Sequence, residues 1–323
     1  MPRIFVTRRL PGEGLDRLRR AADVVVWPDE DPPPPEALRA AAAQADGLLT
    51  LLTDRVDGVL LDAAPSVRIV ANLAVGYDNV DLAAATERGV LVTNTPGVLT
   101  ETVADLAFAL ILALARRLVE GERVVREGRW PLWRPAFLLG RDVHGATLGI
   151  VGLGAIGLAV ARRARGFDMR VLYWSRHRKR DAEAALGIEW CELDDLLRRA
   201  DFVSLHVALS PETRNLVGAR ELALMKADAV LVNTARGGVV DQEALVQALR
   251  EKRIGGAALD VFAVEPLPPD DPLLAIENVL VAPHVGSATI ETRTKMADLA
   301  VDNLLAFFGG ERPRTPVNPE VLT

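Results

Sequence analysis

Residues 148–157, LGIVGLGAIG, decide how the second half of this 323-residue chain folds. A short apolar run of strand character leads into Gly152, Gly154 and Gly157, and helix-forming residues 158–165 follow. The first glycine permits a tight turn, the second lets phosphates approach the backbone, and the third lets the helix pack on the strand. The helix N-terminus adds free N–H groups and a positive dipole end. The stretch therefore predicts a dinucleotide-binding turn.

The length of the chain predicts two domains of about 150 residues each. Half of the residues are apolar and a quarter are charged, which is an ordinary globular balance. The glycine turn begins near the middle of the chain, so the first half must fold as a separate unit.

Charge, cysteine content and hydropathy exclude several classes of protein. A net charge of −6 gives no general attraction to nucleic acid or anionic membranes. The longest apolar run, 103–115, contains Asp105 and is too short to span a bilayer. Cys191 is the single cysteine, which favours a reducing compartment, and residues 1–8 do not fit a signal peptide. We therefore expect a cytoplasmic protein that binds neither nucleic acid nor membrane.

Short apolar runs alternate with helical patterns in both halves, which indicates parallel sheets with crossover helices. In the first half the predicted strands are 4–7, 24–26, 47–49, 69–72 and 90–93, and the predicted helices are 14–21, 36–43, 57–63 and 81–88. In the second half the predicted strands are 148–151, 170–173, 202–205, 229–232, 256–259 and 279–282.

Two long helices mark the predicted domain boundaries. One begins near Thr100, a suitable N-cap, and continues to Leu114. The other, 291–308, follows the last strand, and we expect it to return to the first domain. The prediction is an α/β protein with two doubly wound parallel-sheet domains. A substrate domain comprises 1–98 and 288–323, and a dinucleotide-binding domain comprising 99–287 is inserted into it.

Polar side chains follow four strands of the second half, at the edge where open α/β sheets bind ligands. His206 comes directly after one of these strands, and Arg236, Glu265 and His284 come within a few residues of the ends of the other three. An arginine can bind a carboxylate with its forked donors, a histidine can protonate a carbonyl oxygen, and a carboxylate can stabilise the imidazolium. With a nicotinamide nearby, Arg236, Glu265 and His284 suit hydride transfer to a 2-keto acid. His206 is the alternative proton donor.

Each of these residues also has a structural interpretation. Taken alone, Arg236 beside two glycines fits a solvated loop, Glu265 before Pro266 fits a surface turn, and His284 fits a structural role. Their joint occurrence at successive strand ends favours the catalytic interpretation. The sequence has no cluster with metal-ligand spacing, no G-x-S-x-G elbow and no phosphate-binding P-loop, so we predict no metal site.

The chain resembles the D-isomer-specific 2-hydroxyacid dehydrogenases along its whole length. The shared motifs are Asn72-Leu-Ala-Val75-Gly76-Tyr-Asp-Asn79, Asn94-Thr-Pro96-Gly97, Gly152-Leu-Gly154-Ala-Ile-Gly157, Asn233-Thr-Ala-Arg236-Gly237, Ala258-Leu-Asp260-Val-Phe, Glu265-Pro266 and Pro283-His284-Val-Gly286-Ser-Ala. The resemblance implies a flavodoxin-like substrate domain and a Rossmann coenzyme domain. It also implies catalytic roles for Arg236, Glu265 and His284.

The resemblance implies further binding residues. The Val75-Gly76 loop would present backbone N–H groups to the substrate carboxylate, alongside Arg236, and Asp260 would meet the nicotinamide side of the coenzyme. The coenzyme residues expected from the family are Thr102, Gly152, Gly154, Ala155, Ile156, Gly157, Ser175, Arg176, His177, Thr234, Ala235, Asp260, His284 and Gly286.

Within the family the chain looks most like the glyoxylate/hydroxypyruvate reductases, which favours a small 2-keto acid as substrate and its D-2-hydroxy acid as product. A short phosphoglycerate dehydrogenase is the alternative within the family. Formate dehydrogenases place glutamine where Glu265 stands, which argues against that activity. Corepressors that bind dinucleotide as a sensor share the fold and tend to keep the catalytic residues, so a binding protein is the alternative from another class.

The end of the strand 170–173 predicts the coenzyme preference. NAD-selective sites usually place an acid there for the ribose hydroxyls, but no acid occurs before Asp181. Ser175 and Arg176, with Arg178 as a further candidate, suit a 2′-phosphate. We therefore expect NADP to be preferred and NAD to remain usable.

A segment rich in aromatic residues predicts the oligomeric state. Residues 118–147 carry Trp130, Trp133 and Phe137, and such residues are enriched at interfaces. An arm that covers its own domain is the other interpretation. The resemblance favours a homodimer in which Trp133 reaches the partner's substrate site.

Overall fold

The computed structural model describes residues 1–322 and divides the chain into two compact α/β units. Unit 1 comprises residues 1–99 together with the residues from Ser287 onward, and unit 2 comprises Thr100–Gly286. Unit 2 thus lies between the two segments of unit 1 along the chain. The described residues include no helix long and apolar enough to cross a membrane.

Unit 1 is built on a five-stranded parallel sheet in the order β2-β1-β3-β4-β5. Its strands are β1 (Arg3–Val6), β2 (Asp23–Val26), β3 (Gly47–Thr50), β4 (Ile69–Asn72) and β5 (Leu91–Thr93). Its helices are α1 (Gly14–Arg19), α2 (Pro35–Ala42), α3 (Gly58–Ala63), α4 (Leu82–Glu87) and, after the inserted unit, α12 (Ile290–Phe308).

Unit 2 is built on a seven-stranded parallel sheet in the order β12-β11-β10-β9-β6-β7-β8. Its strands are β6 (Thr147–Val151), β7 (Arg170–Trp174), β8 (Glu189–Trp190), β9 (Phe202–Leu205), β10 (Val230–Asn233), β11 (Gly256–Leu259) and β12 (Val279–Val281). Its helices are α5 (Thr100–Ala115), α6 (Leu118–Arg126), α7 (Ala155–Ala164), α8 (Arg180–Leu186), α9 (Leu193–Arg199), α10 (Ala219–Leu224) and α11 (Gln242–Arg250). Short 3₁₀ turns occur at Arg165–Phe167, Gly237–Val239, Pro272–Ala275 and, in unit 1, Pro319–Leu322.

The strand orders confirm the predicted fold class. Unit 1 has the flavodoxin-like order 2-1-3-4-5, and unit 2 has the Rossmann order 3-2-1-4-5-6 with one further strand, β12. In unit 2 the order reverses at β6, whose neighbours are β7 and β9. Ligands of such sheets bind beyond the carboxyl ends of the strands at this reversal.

The central strands form the cores of both units because their apolar side chains are covered on both faces. β3, β4, β9 and β10 consist entirely of buried residues. Near-continuous apolar runs of this kind are typical of parallel strands with helices on both sides.

The structure differs from the prediction in three local features. β8 has two half-buried residues, too few to give an apolar run, and α6 occupies the start of the segment that was predicted only as an arm. Thr100, the predicted N-cap, is instead the first residue of α5. Thr289 caps α12, where its side chain accepts the N–H of Thr292.

Candidate active site

The glycine turn joins β6 to α7, and the structural requirement differs at each of its three glycines. Gly152 has a φ of 101°, and a Cβ there would lie 2.8 Å from the backbone carbon of His206. A Cβ at Gly157 would lie 2.2 Å from the carbonyl oxygen of Gly152, so α7 can approach the turn only with glycine. A Cβ at Gly154 would meet no atom within 4 Å. The packing of the chain thus explains the outer two glycines, and Gly154 leaves space open at the N-terminus of α7.

The turn after β10 carries a hydroxyl without a partner. Asn233 fixes this turn, since its Oδ1 accepts the N–H of Ala235 (3.0 Å) and its Nδ2 donates to the carbonyl of Arg236 (2.9 Å). Thr234 Oγ1 is buried and has no hydrogen-bond partner among the described residues. Buried polar groups are nearly always paired in native proteins. The unpaired hydroxyl therefore makes this turn a candidate contact for a ligand.

Gly237 lets the loops after β10 and β11 touch. A Cβ at this position would lie 1.9 Å from the backbone carbon and oxygen of Phe262. This contact brings Arg236 near Glu265, and the guanidinium charge helps to lower the pKa of that carboxyl. Arg236 Nη1 donates to the carbonyl of Ala235 (2.9 Å), which anchors the side chain at the strand end.

Glu265 and His284 form a hydrogen-bonded pair. Glu265 Oε2 lies 2.7 Å from His284 Nδ1, and Glu265 Oε1 accepts the N–H of Phe262 (2.9 Å). Burial opposes ionisation of Glu265. The hydrogen bonds from His284 and Phe262 outweigh it, so the pKa of Glu265 lies below its usual value. Glu265 is thus a carboxylate at neutral pH, and Nε2 is the nitrogen of His284 left for a reactant.

The buried carboxylate of Asp260 positions the backbone that carries His284. Its two oxygens accept the N–H groups of Val285 (2.7 Å) and Gly286 (2.8 Å), and its carbonyl accepts the N–H of His284 (2.9 Å). His284 has a φ of 52°, a left-handed conformation that needs such support. Burial raises the pKa of Asp260. Both oxygens of this predicted coenzyme residue are therefore used within the protein.

His206, the alternative proton donor, lies in a different environment. Its Nε2 lies 2.8 Å from Ser204 Oγ, within hydrogen-bond distance, and burial lowers the pKa of His206 to about 4. The ring is therefore neutral near pH 7 and has no carboxylate partner among the described residues. His284 is thus paired with a carboxylate, and His206 is not.

The strand end after β7 presents the predicted phosphate-binding residues. Ser175 Oγ donates to the carbonyl of His177 (2.6 Å), which shapes the turn, and Arg176 and His177 are exposed. Arg178 is used differently, since its Nε and Nη2 donate to the two oxygens of Glu183, each at 2.8 Å. Arg178, the further candidate for the phosphate, is therefore paired with a side chain of the protein itself.

In unit 1, the loop after β4 holds its carbonyl groups against asparagine side chains. Asn94 Nδ2 donates to the carbonyl of Val75 (2.8 Å), and Asn72 Nδ2 donates to that of Gly76 (3.1 Å). Within residues 1–322, no acceptor is found for the N–H of Val75 or of Gly76. The loop therefore offers two backbone donors, as an anion-binding loop would.

Asn79 joins this loop to the end of β3. Its Nδ2 donates to the carbonyls of Leu51 (3.1 Å) and Asp54 (2.9 Å), and its amide pairs with that of Asn72. Three neutral side chains thus fix the backbone at the carboxyl edge of the unit 1 sheet. The sequence showed Asn72, Asn79 and Asn94 only as motif residues and gave no sign of this network.

The remaining predicted residues are placed as follows. Ala155 and Ile156 begin α7, and Thr102 lies half-buried in the first turn of α5. Trp133 follows α6 and is 74% exposed, and Trp130 is 59% exposed. The part of the chain that the structure describes has no group of three side chains able to hold a metal ion.

The chain is similar to known proteins over most of its length. Residues 108–286 match the family model described as D-isomer specific 2-hydroxyacid dehydrogenase, NAD binding domain. A glyoxylate reductase of Korarchaeum cryptofilum is 54% identical over 322 residues, which cover 99% of this chain and 97% of that protein.

Solved structures show the same relationship. A protein from Thermus thermophilus has a TM-score of 0.92 at 49% identity and covers 98% of this chain and 99% of its own. The NADPH-dependent glyoxylate/hydroxypyruvate reductase of Sinorhizobium meliloti, in complex with NADP and malonate, has a TM-score of 0.86 at 38% identity. That match covers 98% of this chain and 96% of the reductase.

Proposed function

Since this chain belongs to the D-isomer-specific 2-hydroxyacid dehydrogenase family, we propose that it is a glyoxylate/hydroxypyruvate reductase that uses NAD(P)H. The observation that carries the proposal is the 2.7 Å contact of Glu265 with His284, with Arg236 close by on the neighbouring strand end. All three residues belong to the unit that contains the dinucleotide turn. The names of the relatives favour glyoxylate and hydroxypyruvate as substrates.

The residues of unit 2 fit a nicotinamide dinucleotide. The open space at Gly154 and the N–H groups at the start of α7 suit a pyrophosphate, and the unpaired hydroxyl of Thr234 needs a partner. When bound, the dihydronicotinamide supplies the hydride. The residues proposed to hold the coenzyme are Thr102, Gly152, Gly154, Ala155, Ile156, Gly157, Ser175, Arg176, His177, Thr234, Ala235, Asp260, His284 and Gly286.

The protein's own groups complete the reduction. Arg236 binds the carboxylate of the keto acid and orients the carbonyl carbon for the hydride. His284 then gives the proton on Nε2 to the carbonyl oxygen, which becomes the hydroxyl of the D-2-hydroxy acid. Glu265 holds Nδ1 and stabilises the imidazolium that precedes the transfer. One hydride and one proton are consumed for each molecule of product.

For Val75 and Gly76 we propose a role in binding the substrate carboxylate. The support comes from unit 1 alone, where the carbonyl groups of this loop are bonded to Asn94 and Asn72 and the two N–H groups have no acceptor. Unit 1 is accordingly the proposed substrate domain.

We propose that NADPH is preferred and NADH is usable. Ser175, Arg176 and His177 follow β7 without an acidic residue among them, and Arg176 is exposed. A carboxylate at this position would repel a 2′-phosphate, whereas a guanidinium attracts one.

A homodimer is part of the proposal. Trp130 and Trp133 are mostly exposed, and a monomer rarely leaves neighbouring large aromatic side chains in water. We propose that this segment packs on a second copy and that Trp133 contributes to the partner's substrate site. Sedimentation at micromolar concentration tests this, and a fully active monomer would contradict it.

Initial rates with a panel of keto acids test the proposed activity. Glyoxylate, hydroxypyruvate, pyruvate and 3-phosphohydroxypyruvate are each measured with NADPH and with NADH. We expect the highest kcat/KM for glyoxylate or hydroxypyruvate with NADPH, at turnover of about 1–10³ s⁻¹. Preference for the phosphorylated acid would indicate a phosphoglycerate dehydrogenase. Tight coenzyme binding without turnover would indicate a sensor protein.

A further inference from the structure

The two arginines that follow β7 are held in different ways. Arg178 donates from Nε and Nη2 to both oxygens of Glu183, and its guanidinium lies 5.8 Å from the ring centroid of Trp190. A bidentate pair of this kind is among the strongest hydrogen-bonded contacts a guanidinium makes. The forked edge of Arg178 is therefore occupied by the protein itself.

Glu183 is fixed in turn by a buried tyrosine. Tyr173 donates its hydroxyl hydrogen to Glu183 Oε1 (2.7 Å), and the same oxygen of Tyr173 accepts the N–H of Lys179 (2.7 Å). The hydrogen bonds from Arg178 and Tyr173 lower the pKa of Glu183 to about 2. Glu183 is thus ionised at every pH at which the enzyme would work, and its contact with Arg178 persists.

Arg176 lies in the same turn and is exposed, as Arg178 is, but it forms no ion pair among the described residues. Its charge acts on Glu212, whose pKa is lowered mainly by the Ser210 hydroxyl and to a small extent by Arg176. Its guanidinium is therefore available to a ligand, in contrast to that of Arg178.

We propose that Glu183 is a specificity-determining residue that withholds Arg178 from the coenzyme. Arg176 is then the single arginine ligand of the 2′-phosphate, and the preference for NADPH stays moderate, so that NADH also serves. This inference rests on the proposed coenzyme preference. The residues concerned lie on β7, the following turn and α8, and none of them touches the reacting atoms.

Three variants separate the roles of these side chains. The measured quantity is the ratio of kcat/KM for NADPH to that for NADH, at a saturating keto acid. Arg176→Gln should lower the ratio roughly tenfold or more, because a charge-assisted phosphate contact is lost. Arg178→Gln, the matched control, should leave the ratio within about twofold. Glu183→Gln should raise the ratio about threefold, because it removes a nearby negative charge and releases a second guanidinium.

A double variant tests the cause of the gain. In the double variant Glu183→Gln with Arg178→Gln, the ratio should be lower than in Glu183→Gln alone, since no released arginine remains. A purely structural role of Glu183 predicts an equal loss with both coenzymes and an unchanged ratio. If Glu183→Gln does not fold, Glu183→Asp supplies the test, because the shorter side chain cannot reach both nitrogens and should shift the ratio in the same direction.

Two kinds of failure can be told apart. If Arg178→Gln lowers the ratio as much as Arg176→Gln, or Glu183→Gln lowers it, Arg178 binds the phosphate directly and the inference is wrong. If the unaltered enzyme prefers NADH and Arg176→Gln changes nothing, the proposed coenzyme preference itself is wrong.

Discussion

The loops that carry the candidate site residues at the carboxyl edges of the two sheets use different chemistry. In unit 2 three successive strands end near Arg236, Glu265 and His284, which are charged or titratable. In unit 1 the corresponding edge holds Asn72, Asn79 and Asn94, whose neutral amides bond to backbone carbonyls.

The difference shows two ways to build a site from parallel strands. Moving a proton or holding an anion by charge needs an ionisable side chain, and the pKa of that side chain then depends on its partners, as the pKa of Glu265 depends on His284 and Phe262. A loop can present its backbone N–H groups to a ligand when its carbonyl groups are bonded elsewhere. Neutral amide side chains can accept that task without burying a charge. We therefore expect substitutions at the charged edge to change turnover and those at the amide edge to change substrate affinity.

His284→Ala should have the largest effect. Loss of the proton donor should lower kcat by roughly 10²–10⁴, a much larger change than any in coenzyme affinity. His206→Gln is the matched control, since that ring is neutral and bonded to Ser204, and its kcat should stay near that of the unaltered enzyme. If His206→Gln loses the greater share of kcat, the assignments of the two histidines must be exchanged.

Arg236→Lys should have the next largest effect, with a lower kcat and a higher KM for the keto acid. Lysine keeps the charge but not the forked donors that hold a planar carboxylate. We expect kcat/KM for the keto acid to fall by about 10²-fold, with the KM for NADPH little changed. A KM for the keto acid equal to that of the unaltered enzyme would remove Arg236 from substrate binding.

Glu265→Gln should change the pH dependence more than the maximal rate. The hydrogen bond with His284 lowers the pKa of Glu265, and glutamine keeps the shape of that side chain without its charge. Reduction consumes a proton delivered by this pair, so loss of the carboxylate should move the descending limb of the pH–rate profile toward acid. Reduction at low pH should survive in part. A descending limb at the same pH in both enzymes would mean that the two side chains are not coupled.

Asn94→Ala should have the smallest effect. Release of the Val75 carbonyl loosens the loop, and the KM for the keto acid should rise about threefold to tenfold, the order expected for one hydrogen bond. The values of kcat and of the KM for NADPH should change little. Asn278→Ala is the control, because Asn278 bonds to the carbonyl of Gly255 at the opposite edge of the unit 2 sheet. A fall in kcat without a change in KM would contradict a role in positioning the loop.

The fold and the proximity of Glu265 to His284 could be predicted because both follow from local patterns. Apolar runs buried on both faces gave the strands, and parallel strands bring their carboxyl ends together, which placed Glu265 and His284 near each other. The two-residue strand β8 lacks such a run and could not be predicted. The contact of Glu183 with Arg178 depends on how α8 packs beside β7. The spacing of residues in the sequence does not reveal this packing. The carbonyl-binding asparagines are likewise visible only in three dimensions.

Transfer of a labelled hydride tests the central claim most directly. The enzyme is given hydroxypyruvate and NADPH that carries deuterium at the transferred position of C4, and the product is analysed for label and configuration. Direct hydride transfer with protonation by His284 predicts D-glycerate with deuterium on C2 and solvent hydrogen only on oxygen. The L isomer, hydrogen from solvent on C2, or coenzyme binding without any product would contradict it.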